Sequence, residues 1–106
     1  MVSGTLLPMP VRPMASSGEA SLSAAMQAAQ NGDAAAYRAL LRDCVPVIAA
    51  MVRAKGVRGA AVDDVVQETL LTVHRARATY DPDRPFLPWL RAIAQRRAID
   101  VLRRDG

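Results

Sequence analysis

From Glu19 onward, apolar residues recur at intervals of three and four, and no stretch alternates with the two-residue rhythm of a strand. Leu22, Ala25, Met26 and Ala29 share one stripe, which predicts a first helix capped by Ser21 or Ser23 and ending near Gln30. Asn31-Gly32 supplies the stop, and Asp33 caps a second helix carrying Ala36, Tyr37, Leu40, Leu41 and Cys44. Pro46 lacks an N–H and its ring crowds the preceding turn, so a kink or break is expected before Val47 to Lys55. Gly56 to Gly59 reads as a turn. A third helix is expected from about Ala60 to Ala78, burying Val62, Val66, Thr69, Leu70 and Val73. Asp64, Gln67, Glu68, Leu71 and Arg75 form its opposite stripe. Two prolines and two aspartates between Thr79 and Pro85 predict a loop. The fourth helix runs from Phe86 to about Arg104, burying Phe86, Leu90, Ile93, Ala94, Ala98 and Val101. Trp89, Ala92, Arg96, Asp100 and Arg103 line its flank.

The pattern therefore predicts an all-α fold, a compact bundle of about four helices over residues 19–106. Residues 1–18 are rich in Pro, Ser, Gly and Met without periodicity and are expected to form a disordered N-terminal arm. A length of 106 residues suits one domain with a modest core. With only Tyr37, Tyr80, Phe86 and Trp89 aromatic, the composition fits helices better than a β-sandwich. The single cysteine, Cys44, excludes an internal disulfide framework and suits a reducing compartment, so the chain is read as cytoplasmic. No signal-peptide pattern and no bilayer-length apolar run is present.

Charge sharpens the picture. The net charge is +4, and thirteen of the fourteen basic residues are Arg, whose planar fork matches phosphate and carboxylate. The third helix opens with Asp63, Asp64 and Glu68, where a helix dipole favours negative charge. Between Trp89 and Arg104 the fourth helix carries five arginines (Arg91, Arg96, Arg97, Arg103 and Arg104) against Asp100 alone. Two faces of opposite sign suit an adaptor that holds a basic protein with one and a nucleic acid with the other. The bland alternatives are a solvated acidic helix face, and for Arg97 a pairing with a carboxylate of the second or third helix. His74 and Cys44 lack ligand spacing, and no second carboxylate cluster or phosphate cradle accompanies Asp63, Asp64 and Glu68. No cofactor, metal or enzymatic role is expected.

Four ordered pieces carry a resemblance. Asn31-Gly32-Asp33 is followed by Ala36-Tyr37 and Leu40, and Asp64 by Gln67-Glu68. Tyr80-Asp81-Pro82 precedes Phe86 and Trp89-Leu90, and Ile93-Ala94 precedes Ala98-Ile99-Asp100 and Arg103-Arg104. From about residue 20 to 104 the chain resembles region 2 of the extracytoplasmic-function (group 4) class of sigma-70 family factors. The resemblance implies that Asp64, Gln67, Glu68, Leu71 and Arg75 dock on the β′ clamp helices of core RNA polymerase. Charge-assisted hydrogen bonds there are each worth about 1.5–3 kcal/mol. It implies that Tyr80, Asp81, Asp83 and Arg84 form the pocket for an unstacked base of the non-template strand at the minus-ten promoter element, with Trp89 beside the DNA and read as a part-buried anchor of the helix start rather than a melting wedge. Arg96, Asp100 and Arg103 would contact the strand beside it. An anti-sigma factor and a monomeric free state are further implications, with transcription of stress or envelope-response genes as the output. Two departures matter: Arg96 stands where the family often has Asn, and a second helix-turn-helix domain, region 4, is absent from this chain. A sigma-like decoy that sequesters an anti-sigma factor without binding DNA is the alternative, as is a nonspecific DNA-binding helical domain. The decoy should lack the carboxylates and the basic helix that this chain retains.

Overall fold

The computed structural model describes the backbone of residues 14–105 and the side chains of residues 18–104. Four helices follow in order: α1 (Met14–Gln30), α2 (Ala34–Ala54), α3 (Ala60–Ala76) and α4 (Phe86–Asp105), with a 3₁₀ turn (Arg77–Thr79) after α3. No strand occurs among the described residues. α2 is central, packing against α1, α3 and α4, while α1 and α3 each also reach α4. Met26, Leu40, Cys44, Ile48, Val52, Val65, Val73, Phe86 and Leu90 make the fully buried centre. Removal of each larger side chain from water contributes roughly 1.5–3 kcal/mol.

Three expectations need correction. The helix anticipated to start at Ser21 or Ser23 begins at Met14, immediately after Pro13, and so runs into the stretch read as an arm. The remainder of that arm, residues 1–13, lies outside the described residues. Neither serine caps α1; Ser23 instead donates its hydroxyl to Glu19. Pro46 does not break α2, which is helical from Ala34 to Ala54. Both Pro46 and Arg42, the residue whose carbonyl loses a partner, are exposed, so water can satisfy that oxygen. The third helix stops at Ala76, and the chain tightens into the 3₁₀ turn before Tyr80.

Where helix ends were legible, local chemistry explains them. The Asp33 side chain accepts from the Ala36 N–H at 2.9 Å. Gly32 and Gly56 take φ of 99° and 107°, where a Cβ is disfavoured, and let the chain fold back on the carbonyls of α1 and α2.

The start of α4 obeys a different rule. Pro85, which precedes it, has no side-chain acceptor, and Pro88 in the first turn has no N–H to satisfy. The N–H groups of Phe86 and Leu87 donate to the two carboxylate oxygens of Glu19 at 2.7 and 2.8 Å. A residue of α1, 67 positions away in sequence, therefore caps α4, with its charge at the positive end of the helix dipole. Further along α1, Gln30 Nε2 donates to the carbonyls of Arg77 and Tyr80 at 3.0 and 2.8 Å. Eleven residues of helix, about 16 Å, hold both ends of the segment joining α3 to α4.

Burial, the largest influence on Glu19, opposes its ionisation; the hydrogen bonds from Ser23, Leu87 and Phe86 together outweigh it and bring its pKa below the ordinary value. A carboxyl depressed on folding stabilises the native state above its unfolded pKa and loses that contribution as pH falls through the lower, folded one. Urea unfolding followed by circular dichroism should show the parent weakening below the ordinary glutamate range. Glu19→Gln should cost about 1 kcal/mol at neutral pH and flatten that acid limb. Pro46→Ala should raise stability by about 2 kcal/mol by restoring a helical bond, net of the unfolded-state freedom it adds; an unchanged midpoint would show the ring is not a liability.

Candidate functional site

The segment between α3 and α4 is a braced turn. Asp81 Oδ1 accepts from the Asp83 N–H at 2.9 Å, and Asp81 Oδ2 lies 3.6 Å from Arg84 Nε. The Arg84 N–H donates to the Asp81 carbonyl at 3.0 Å, and the Tyr80 hydroxyl donates to the Arg84 carbonyl. Tyr80 is 3% exposed, its ring edge-on to Phe86 (centroids 5.7 Å apart) and 5.0 Å from Trp89. Burial raises its pKa; a Ser23 hydrogen bond opposes this, and the Glu19 and Asp81 charges reinforce it, so the phenol stays neutral. Tyr80 is thus largely a core residue that floors the turn rather than an exposed stacking ring. Trp89 is half-buried and anchors the start of α4 against Tyr80 and Phe86.

Above this aromatic cluster, Tyr80, Asp81, Arg84 and Trp89, with Thr79, Pro85 and Pro88, enclose a depression of about 440 Å³. Trp89 also borders a second depression of about 570 Å³, shared with Arg96, Arg97, Asp100, Thr72, Ala92 and Ile93. Trp89 thus stands between the turn and the flank of α4 and borders both. Asp83 and Arg103 are exposed but line neither depression.

On the neighbouring side, Asp64, Gln67, Glu68 and Leu71 of α3 share a groove of about 420 Å³ with Arg97, Asp100, Val101 and Arg104 of α4. Leu71 is 50% exposed, an apolar contact on that rim. Arg75 is exposed one turn further on and outside the groove. Val65, which sequence reasoning left out of the buried stripe, is fully enclosed and forms part of the groove floor. The acidic and basic faces are consequently adjacent rather than opposite, and Arg97 and Asp100 line both. Arg97 Nη1 lies 3.8 Å from Glu68 Oε1, the α3 pairing considered for it.

Two residues treated as bystanders are placed plainly. The Tyr37 hydroxyl and His74 Nδ1 are 2.7 Å apart, linking α2 to α3 on an exposed edge. Cys44 is buried, and burial, with the Asp43 charge adding, pushes its thiol up to about 12. Glu19 and Gln30, which orient the turn, were not singled out from sequence. An acidic residue one helix away carries no local capping signal. Among the described residues no cluster of His, Cys, Asp and Glu could hold a metal ion, and no helix is long and apolar enough to cross a membrane.

The sigma-70 region 2 family model matches residues 40–106. The chain belongs to that family. It is similar to the ECF RNA polymerase sigma factor SigF of Caulobacter vibrioides (strain NA1000 / CB15N), with 42% identity over 89 residues, covering 81% of this chain and 49% of that protein. Similarity to the RNA polymerase sigma factor CarQ of Myxococcus xanthus is 45% over 56 residues, covering 53% and 30% of the two chains. An engineered region 2 of sigmaE, solved by NMR in complex with GTAAAA, superposes with a TM-score of 0.70 at 30% identity, covering 80% of this chain and 88% of that one. The chain spans at most about half the length of the curated relatives it matches. It is a sigma factor region 2 of the ECF type, built as the four-helix body expected.

A thiol with a pKa near 12 is almost wholly protonated at pH 8, with about 10³-fold less thiolate than free cysteine. Alkylation of Cys44 should be slower than in denaturant by about that factor. Rapid modification of the folded chain would show that α2 opens locally.

Proposed function

We propose that this domain binds core RNA polymerase through the α3 groove and minus-ten promoter DNA through the turn and flank of α4, starting transcription. The observation that carries the reading is that Trp89 borders both the turn depression and the Arg96 depression, which sets the two side by side. A single strand can lie along that path, one base in the turn and its phosphates near Arg96 and Arg103. Extruding a base costs a few kcal/mol, repaid by stacking and hydrogen bonds. A braced turn avoids a further ordering cost on binding. The likeness to a region 2 bound to GTAAAA supports this side of the proposal, and the sigma-factor relatives support the other.

On the polymerase side, Asp64, Gln67 and Glu68 present acceptors at the mouth of the α3–α4 groove, beside Leu71. They suit arginines of the β′ clamp helices, with Arg75 at the edge of the contact. The phosphate contacts of α4 fix register and bring salt dependence; base edges near Arg96 and Asp100 carry the sequence choice. Exposure of both the carboxylates and the arginines favours this reading over the decoy that captures an anti-sigma factor alone. An anti-sigma factor covering these surfaces, a monomeric free state, a cytoplasmic location and stress or envelope-response targets complete the proposal.

The two faces can be separated by mutation. Asp64→Lys with Leu71→Ala should weaken association with core polymerase at least tenfold while single-strand binding persists. Arg96→Ala with Arg103→Ala should weaken binding to a minus-ten oligonucleotide and lower its salt slope by about 1.4, two single-strand phosphates, with polymerase association retained. If each double variant behaves like the parent in both assays, the faces are wrongly assigned.

A further inference from the structure

Arg97 stands on the ridge between the two α4-lined hollows and borders both. Its Nη1 lies 3.8 Å from Glu68 Oε1, and its Nη2 donates to Thr72 Oγ1 at 3.4 Å. Both contacts sit at the long limit for their kind. The side chains of Arg97 and Glu68 are 38% and 59% exposed, so water screens the pair. An exposed pair of this sort holds a side chain weakly and exchanges readily for a better partner. Asp100 lines both hollows too, but makes no ion pair with Arg97, which leaves Glu68 as the carboxylate paired with this guanidinium.

Resting on the reading above, we infer that Arg97 is a further nucleic-acid contact held in reserve by Glu68. In the free chain Glu68 draws the guanidinium toward α3. When a cationic partner takes the Glu68 carboxylate, Arg97 turns to the adjoining hollow and meets a phosphate of the strand lying at Trp89 and Arg96. The coupling is a competition for one guanidinium, and it is reciprocal: a phosphate that takes Arg97 leaves Glu68 open to the partner by the same factor. Polymerase capture and strand capture thereby reinforce one another through a single side chain.

Binding of labelled GTAAAA to the 106-residue chain, titrated from roughly 50 to 200 mM salt, tests the inference without polymerase present. Glu68→Gln stands in for capture by removing the competing charge. It should tighten binding about fivefold at low salt and steepen the log–log salt slope by about 0.7, one single-strand phosphate. Glu68→Asp, one methylene shorter, should fall between the two. Asp63→Asn changes net charge equally without touching Arg97 and should leave the slope as in the parent. Arg97→Gln added to Glu68→Gln should return slope and affinity to parental values, while Arg97→Gln alone shifts affinity less than twofold. An unchanged slope in Glu68→Gln overturns the inference. So does an equal loss on Arg97→Gln with and without Glu68, which would place Arg97 on the strand already. A parent that binds polymerase but no oligonucleotide removes the strand site itself, and this inference with it; binding without coupling removes the inference alone.

Discussion

The Glu19 carboxylate at the N-terminus of α4 is the contact on which the placement of the candidate site depends. Pro85 and Pro88 bracket the helix start, one unable to supply a cap and the other without an N–H. A helix beginning this way leaves donors pointing into the protein, and only a remote acceptor can satisfy them. Glu19 does so, and Gln30 does the converse for the carbonyls ending the α3 segment. α1 is therefore a strap whose Glu19 and Gln30 side chains, eleven residues apart, hold the two sides of the Tyr80–Pro85 turn. The position of the turn relative to α4 follows from the length of a helix, a far stiffer ruler than a loop.

That stiffness has a functional reading. The Asp81 carboxylate, the Tyr80 hydroxyl and the Arg84 carbonyl are engaged within the turn, over an aromatic floor of Tyr80, Phe86 and Trp89. A preformed hollow loses little freedom when a ligand enters it. The long, exposed side chains lie outside that braced turn: Arg96 and Arg103 on one side, Glu68 on the other. The geometry joins these sides at Arg97 and Asp100, so the two surfaces share a boundary. Charges this close, within about one Debye length at physiological salt, feel one another directly.

Much of the fold was legible because helices announce themselves locally. Asn31-Gly32-Asp33 ended one helix and capped the next by chemistry confined to a few residues. The stripes of α2 and α4 placed Leu40, Cys44, Phe86, Leu90, Ala94 and Ala98 inside, where they are. Val65 was missed because α3 is enclosed over a wider arc than a single stripe, with α2 and α4 both packed on it. Pro46 misled because the residues around the freed carbonyl are exposed, so the ring costs stability without ending the helix. Tyr80 carried a loop-like context into a buried position, since the turn folds its first residue back under the start of α4.

The candidate site divides along the same line. Its residue types and their spacing belong to the chain: carboxylates and an amide at Asp64, Gln67 and Glu68, and arginines recurring along one helix. Helical periodicity is a nearest-neighbour property, so those faces could be drawn without coordinates. The meeting of the faces along a common ridge could not be drawn, because it depends on how closely α3 and α4 pack. Nor could a glutamate 67 positions away be assigned as the cap of α4, since long-range pairing is set by the packing of the whole bundle and leaves no local mark.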